Sequence, residues 1–323
     1  MTKLSYAKAL NRALADELTR DEAVCVFGED LGAGLSGLTP GLRDRFGAER
    51  VVDTPLSEQA FSSLALGAAL AGMRPVVEFQ IPSLLFLVFE QIANQAHKIS
   101  LMTGGQITAP VTFVVPGSGS REGWAGQHSD HPYSLFAHVG VKTLLPATPA
   151  DAYGLLVSAI RDPDPVVLFA PAGAMGVRED VTTELAPVPI GSARVHRAGT
   201  DVTVVAAGHL VYEALAVAEE LAPEVSVEVF DPRTLYPFDF AALNDSVGRT
   251  GRLVVVDDSN RMCGLAAEVI ASVVELGMPL RAAPRRVTRP DGAVLPFAIG
   301  LDRAVQPGRE QLRTAVLATM ARH

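Results

Sequence analysis

A carboxylate at the mouth of an apolar helix is the arrangement in this chain best suited to moving a proton. It occurs at Asp53-Thr54-Pro55-Leu56-Ser57-Glu58-Gln59-Ala60-Phe61, where Ser57 is a candidate cap and Glu58 stands in the first turn. The residues beyond it (Phe61, Leu64, Ala65, Leu66, Ala68, Ala69, Leu70) are nearly all apolar, which predicts a helix buried on every side and a dry Glu58. Burial raises a carboxyl pKa and a helix N-terminus lowers it. Either outcome makes Glu58 a candidate proton donor or acceptor. An isolated Ser-Glu is also an ordinary helix cap, so the surrounding chain has to decide.

Two further segments offer reactive groups. Gly28-Glu29-Asp30 follows a strand predicted at 23–27, where paired acids can relay protons or hold a metal, although turns use acids freely. The glycine-rich stretch 117–130 contains His128, whose near-neutral titration suits an acid, a base or an oxyanion donor. Its glycines do not have the Gly-x-Gly-x-x-Gly spacing and no helix pattern opens there, which disfavours a dinucleotide site. His128, His131 and His138 invite a zinc reading, but no carboxylate or cysteine at helical spacing completes a ligand set. We therefore assign no metal site within the chain. For His131 and His138, a hydrogen-bonded loop histidine is the plain alternative.

The elements that must position these groups alternate. Short β-branched runs at 23–27, 76–80, 111–115, 143–145 and 166–169 read as buried parallel strands, with helical periods at 5–19, 57–72, 84–102 and 151–161. The apolar first turns of 84–102 suit either a core or a face packed on another subunit. Residues 171–191 are rich in proline, glycine and charge and read as a connection. Strands at 202–207, 225–230 and 253–256 follow, with helices at 210–221, 264–276 and 309–320. This pattern predicts an α/β protein of two three-layer α/β/α domains, residues 1–180 and 193–323, joined by a linker at 181–192.

Composition narrows the function classes. Across 323 residues, 48% are hydrophobic, more than a lone domain needs, which points to protein interfaces. The longest strongly apolar run, 81–89, is far short of the roughly 20 residues that span a bilayer, so no membrane partner is expected. A net charge of −9 without a basic block argues against nucleic acid. The N-terminal segment mixes both charge signs at a helical period, unlike a leader peptide. Two isolated cysteines, Cys25 and Cys263, support neither a disulfide framework nor a thiolate metal site, and a reducing cytoplasm fits best.

Taken together, the segments resemble the β subunit of the thiamine-diphosphate-dependent decarboxylating component of 2-oxo acid dehydrogenase complexes. The resemblance runs nearly end to end. It includes Gly28-Glu29-Asp30, Arg50-Val51-Val52-Asp53-Thr54-Pro55-Leu56-Ser57-Glu58, Gly72-Met73-Arg74-Pro75-Val76-Val77-Glu78 and Gln127-His128-Ser129. It continues through Ala159-Ile160-Arg161-Asp162-Pro163-Asp164-Pro165, Asp231-Pro232-Arg233-Thr234-Leu235-Tyr236-Pro237 and Thr250-Gly251-Arg252-Leu253. The Pro-Leu-Ser-Glu form and Asn94-Gln95-Ala96 are nearest to the acetoin and pyruvate branches.

This resemblance implies a transketolase-like pyrimidine-binding domain followed by a transketolase C-terminal-like domain for dimerisation and complex docking. It implies that Glu58 hydrogen-bonds the aminopyrimidine of thiamine diphosphate and controls the proton that activates the cofactor. His128 would stand near the substrate and acyl acceptor, and Glu29 in a proton relay between paired sites. Leu56 and Leu84 would lie against the aminopyrimidine, Leu84 where the family usually has an aromatic residue. The chain holds no Gly-Asp-Gly, so an α subunit would carry magnesium and the diphosphate, giving an α2β2 assembly that shares the cofactor. The implied substrate is a small 2-oxo acid, and the implied acceptor is the lipoyl arm of an acyltransferase core. A structural potassium ion near Val111, Ala159, Ile160, Asp162 and Asp164 is implied by some relatives. Where the family shows Glu and Leu-Tyr, this chain has Ala170-Pro171-Ala172-Gly173-Ala174-Met175. That departure and Leu84 keep open a standalone two-subunit enzyme passing the acyl unit to an aldehyde or ketone. A non-catalytic scaffold subunit is the reading from another class.

Overall fold

A computed structural model describes residues 2–120, 122–181 and 185–321, so part of the expected 181–192 linker lies outside the described residues. The chain divides into two compact units: Met1–Arg121 with Gln127–Ile190, and Glu122–Gly126 with Gly191–His323.

In chain order, the first unit contains β1 (Thr2–Ser5), α1 (Tyr6–Arg20), β2 (Val24–Gly28), α2 (Leu42–Phe46), β3 (Val51–Asp53), α3 (Glu58–Leu70), β4 (Arg74–Glu78) and α4 (Ile99–Met102). It continues with β5 (Thr112–Ser118), α5 (Tyr133–His138), β6 (Lys142–Leu144), α6 (Pro149–Arg161), β7 (Val166–Pro171), α7 (Ala172–Met175) and β8 (Arg178–Val181). The strands lie side by side in the order β6-β7-β5-β4-β2-β3, all parallel. β2, β5 and β7 are buried along their whole length, as a parallel sheet covered on both faces requires. Alternation sorts the two faces. Val24, Val26, Val76 and Val114 join the core under α1 and α6. On the other face Phe79 packs between Phe61 of α3 and Phe113, with ring centroids 5.8 and 6.3 Å away.

Two local expectations change. The helix expected over 84–102 is instead a 3-10 turn at Pro82–Phe86, a π-helical segment at Glu90–Ala96 and the short α4. Pro82 opens the first of these, and the wide π turns prevent one continuous α-helical stripe. Residues 171–181, read as connection, extend β7 and form α7 and β8. The last pairs antiparallel with β1 from Thr2↔Val181 to Ser5↔Arg178. Glu17 of α1 is buried against α6, where Arg161 donates to it at 2.6 and 3.0 Å. Burial raises that carboxyl, but the hydrogen bonds of Arg161 and Arg20 outweigh it and hold Glu17 below its usual range.

The second unit contains β9 (Arg194–Arg197), β10 (Val202–Ala206), α8 (Leu210–Glu220), β11 (Val227–Asp231), β12 (Thr234–Tyr236), α9 (Phe240–Thr250), β13 (Leu253–Asn260), α10 (Leu265–Glu275), β14 (Arg285–Arg289), α11 (Ile299–Val305) and α12 (Arg309–Met320). Its sheet runs β14-β13-β10-β11-β9, parallel except for β9. Among the described residues, no helix is long and apolar enough to cross a membrane.

Candidate functional site

The carboxyl ends of β2, β4 and β5, neighbours in the first sheet, deliver the reactive groups to one edge, where open α/β sheets place their ligands. β2 ends at Gly28, and Glu29 follows. Asp30 then takes a left-handed φ of 55°, and Asp53 at the end of β3 closes the turn by accepting from the N–H groups of Leu31 (3.3 Å) and Gly32 (3.1 Å). Gly28 leaves no space for a side chain, since an added Cβ would stand 2.7 Å from the Glu78 carbonyl oxygen. We expect Gly28→Ala to cost about 1–3 kcal/mol by overpacking, read as a thermal midpoint lowered by roughly 2–4 °C per kcal/mol.

Glu58 is the first residue of α3. Ser57 does not cap it; its hydroxyl instead donates to the Pro55 carbonyl at 3.0 Å. The expected burial is also different. α3 packs one face on β2 and β4, burying Phe61, Ser62, Ala65 and Ala69, while Leu64 and Leu70 are 56% and 44% exposed. Glu58 is half-buried, and Leu56, just before the helix, is 81% exposed. A helix apolar all round is covered only where this chain supplies a partner.

The dry acid is Glu29. It is 5% exposed, and its Oε1 has no hydrogen-bond partner. Burial pushes its pKa up first, the nearby Glu58 carboxylate adds to this, and Asp30 contributes further. The Ser57 N–H pulls the other way. The charge of Glu58 thus acts directly on the dry Glu29.

A third acid was not singled out from the sequence. Glu78, at the end of β4, is 1% exposed, and burial pushes its pKa up to about 7 against the weaker pull of Ser36 and Gln80. Gln80 Nε2 donates both to Glu78 Oε1 at 3.1 Å and to the Glu29 carbonyl at 3.0 Å, linking the two acid-bearing strand ends. An acid closing the apolar run Val76-Val77-Glu78 was the available signal.

His128 sits half-buried in a 3-10 turn, Gly126–His128, in the loop leaving β5; Arg121 of that loop lies outside the described residues. The loop base is closed by Gly119 N–H donating to the Asp130 carbonyl at 2.8 Å. His131 has a structural place. Its Nε2 is 3.1 Å from Ser118 Oγ, and the rings of Tyr133 and Phe169 meet it edge-on. His138 is exposed on α5. Leu84 is half-buried in the 3-10 turn after β4. At the suggested potassium position, Arg74 donates to the Ile160 carbonyl at 3.0 Å. Lys142 Nζ lies 2.7 and 2.9 Å from Asp162 and Asp164. Lys142 already balances those two carboxylates.

Two family models match the chain: the pyrimidine binding domain of transketolase over residues 2–176 and the C-terminal domain of transketolase over 191–312. The acetoin:2,6-dichlorophenolindophenol oxidoreductase subunit beta of Cupriavidus necator is 38% identical, covering 98% of each chain. The pyruvate dehydrogenase E1 component subunit beta of Bacillus subtilis is 39% identical, over 92% of this chain and 93% of its own. Among solved structures, a split gene transketolase, described as an inactive beta4 tetramer, shares the fold with a TM-score of 0.80. It covers 98% of each chain at 21% identity.

Proposed function

This chain belongs to the transketolase-like family of β subunits of pyruvate and acetoin dehydrogenases, and we propose that it supplies the pyrimidine half of a thiamine diphosphate site. The observation that carries the proposal is the pair Glu29 and Glu58 beside the exposed Leu56 at the start of α3. An apolar side chain open to solvent next to a half-buried carboxylate, with the orphaned Glu29 Oε1 behind it, fits a flat heteroaromatic ring with one basic nitrogen. When bound, thiamine diphosphate supplies the carbon acid and electron sink that let a 2-oxo acid lose carbon dioxide.

The roles of the chain's own residues follow from their positions. Glu58 holds or releases a proton at the aminopyrimidine ring nitrogen, helped by the positive end of α3. Glu29, kept protonated more readily than an ordinary glutamate, exchanges a proton with its surroundings as Glu58 changes charge. Leu56 and Leu84 give the ring apolar contact; an aliphatic Leu84 forgoes the roughly 0.5–1.5 kcal/mol of an aromatic stack. His128 hydrogen-bonds the substrate carbonyl or the incoming acceptor.

The diphosphate and magnesium belong on an α subunit that bears the Gly-Asp-Gly this chain lacks, in an α2β2 assembly. A small 2-oxo acid is the substrate, a lipoyl arm the acyl acceptor, and a reducing cytoplasm the setting that suits two free cysteines. No step is assigned to potassium. Calorimetric titration of magnesium thiamine diphosphate tests the split site: binding is expected only when the chain is paired with its α subunit. Tight binding to this chain alone would defeat the shared site. Absence of binding to the pair would favour a scaffold role instead.

A further inference from the structure

The protein as a whole is acidic, with a net charge of −9, yet one groove of the second unit gathers the opposite sign. It has a volume of about 720 Å³ and runs along β14. β14 is an edge strand, hydrogen-bonded to β13 alone among the described strands. The groove is lined by the consecutive residues of that strand, so it offers a main-chain edge as well as side chains. Its opposite wall is one face of α12, where Thr314, Ala315 and Ala318 are small enough to leave width beside the strand.

The charge in this groove is not neutralised from within. Arg261 and Arg285 are exposed and Arg286 is half-buried, and none of the three has an ion pair among the described residues. Arg286 is held in place by donating Nη1 to the Arg261 carbonyl at 2.9 Å. Arg289 differs: it is 4% exposed and paired with Asp258 at 2.7 Å, so it belongs to the core. Glu310 is the one acid in the lining. Three arginines without an ion pair among the described residues therefore line the groove against one carboxylate.

We propose that this groove receives an extended acidic peptide segment of a partner protein, which adds to β14 as a further strand while the carboxylates on one of its faces meet Arg286 and Arg261. Strand addition satisfies the edge amides and carbonyls, and one face of the peptide then meets Arg286 and the neighbouring Arg261, while Arg285, the preceding strand residue, points to the other face. Guanidinium groups bind carboxylates through paired, directed hydrogen bonds, which gives the contact specificity as well as charge. A compact anion would use the arginines but leave the strand edge unmet. Charged residues also protect edge strands from unwanted pairing, and the experiment separates that role from docking. The inference does not depend on the cofactor proposal, because every residue in it lies in the second unit.

Fluorescence anisotropy with the full chain and a labelled peptide of alternating glutamate and valine tests it. Saturable binding is expected, weakening with added salt. The double variant Arg261→Ala/Arg286→Ala should weaken it about tenfold or more with an unchanged melting curve, whereas Arg285→Ala, on the opposite strand face, should weaken it less. A peptide of alternating glutamate and proline keeps the charge but cannot complete the ladder, and it should bind far more weakly. Equal binding of the proline peptide, or full displacement by equimolar tripolyphosphate, would reduce the groove to an anion site and overturn strand addition. Lack of binding by the valine peptide, or binding unaffected by the arginine variants, would overturn the proposal outright.

Discussion

Replacing Glu58 with glutamine is expected to lower kcat for 2-oxo acid decarboxylation by the reconstituted α/β enzyme about 10²–10⁴-fold, the range set by loss of a positioned acid or base. KM should change little, because the amide fills the same volume and Glu58 is only half-buried. The fold should tolerate it as well, since α3 is anchored by Phe61, Ala65 and Ala69 further along the helix. A second signature should accompany the loss. Glu58 is one of the charges pushing the Glu29 pKa up, so the amide should let Glu29 ionise more easily and move the acid limb of any residual pH profile downward. Steady-state rates and a pH profile beside a melting curve would check this. Full activity in the glutamine variant would remove Glu58 from the chemistry and leave it as part of a helix start.

Glu78 carries the second large effect, and here the readout is stability. Its carboxyl titrates at an ordinary 4.5 when exposed and at about 7 in the folded chain, because burial disfavours the charge. Below pH 4.5 both folded and unfolded forms are protonated, and the group does not bias folding. Between pH 4.5 and 7 the folded chain keeps a proton the unfolded chain has lost, so stability falls as pH rises. Above pH 7 both forms are ionised and the penalty levels off at about 3 kcal/mol. Ser36 and Gln80 face the carboxyl, and neither supplies a compensating charge. Glu78→Gln, which mimics the protonated acid, should match the parent protein near pH 4.5 and exceed it by up to about 3 kcal/mol at pH 8. Denaturant midpoints measured across that window should show the parent's slope flatten in the variant. Parallel slopes would mean that Glu78 is ionised and solvated in the folded state.

Much of this site was legible because short motifs place acids where a strand ends or a helix begins. Glu29 follows an apolar strand and Glu58 precedes an apolar helix, so their neighbourhood could be anticipated from local pattern alone. Their division of labour could not. Which acid is dry depends on Ser57, Asp30 and the sheet edge together, and the burial expected for Glu58 is found at Glu29. Glu78 escaped notice because its significance lies in a neighbour two residues on, Gln80, reaching across to another strand. The strands that the sequence pattern did not reveal share a cause. Arg178–Val181 becomes a strand by pairing with the chain's first residues, and Arg285–Arg289 becomes one at a sheet edge despite its charge. Neither partner is visible in a window of ten residues. The run 84–102 misled in the opposite way, since its apolar content suits a helix while Pro82 and the π-helical segment break the α period.

The half-covered α3 has a bearing on how such a protein must be made. Leu64, Leu70 and Leu56 stand in water at the start and along one face of a helix whose other face is core, with Phe86 and Leu87 about half exposed in the segment after β4. Unassembled copies carrying that surface are sticky, prone to meet each other before they meet anything else. In the proposed α2β2 assembly a companion would cover this surface, so ribosomes that turn out this chain faster than its companion would leave clumps and occupied chaperones. Under that proposal, balanced dosage of the two polypeptides is a demand made by the wall of a single helix.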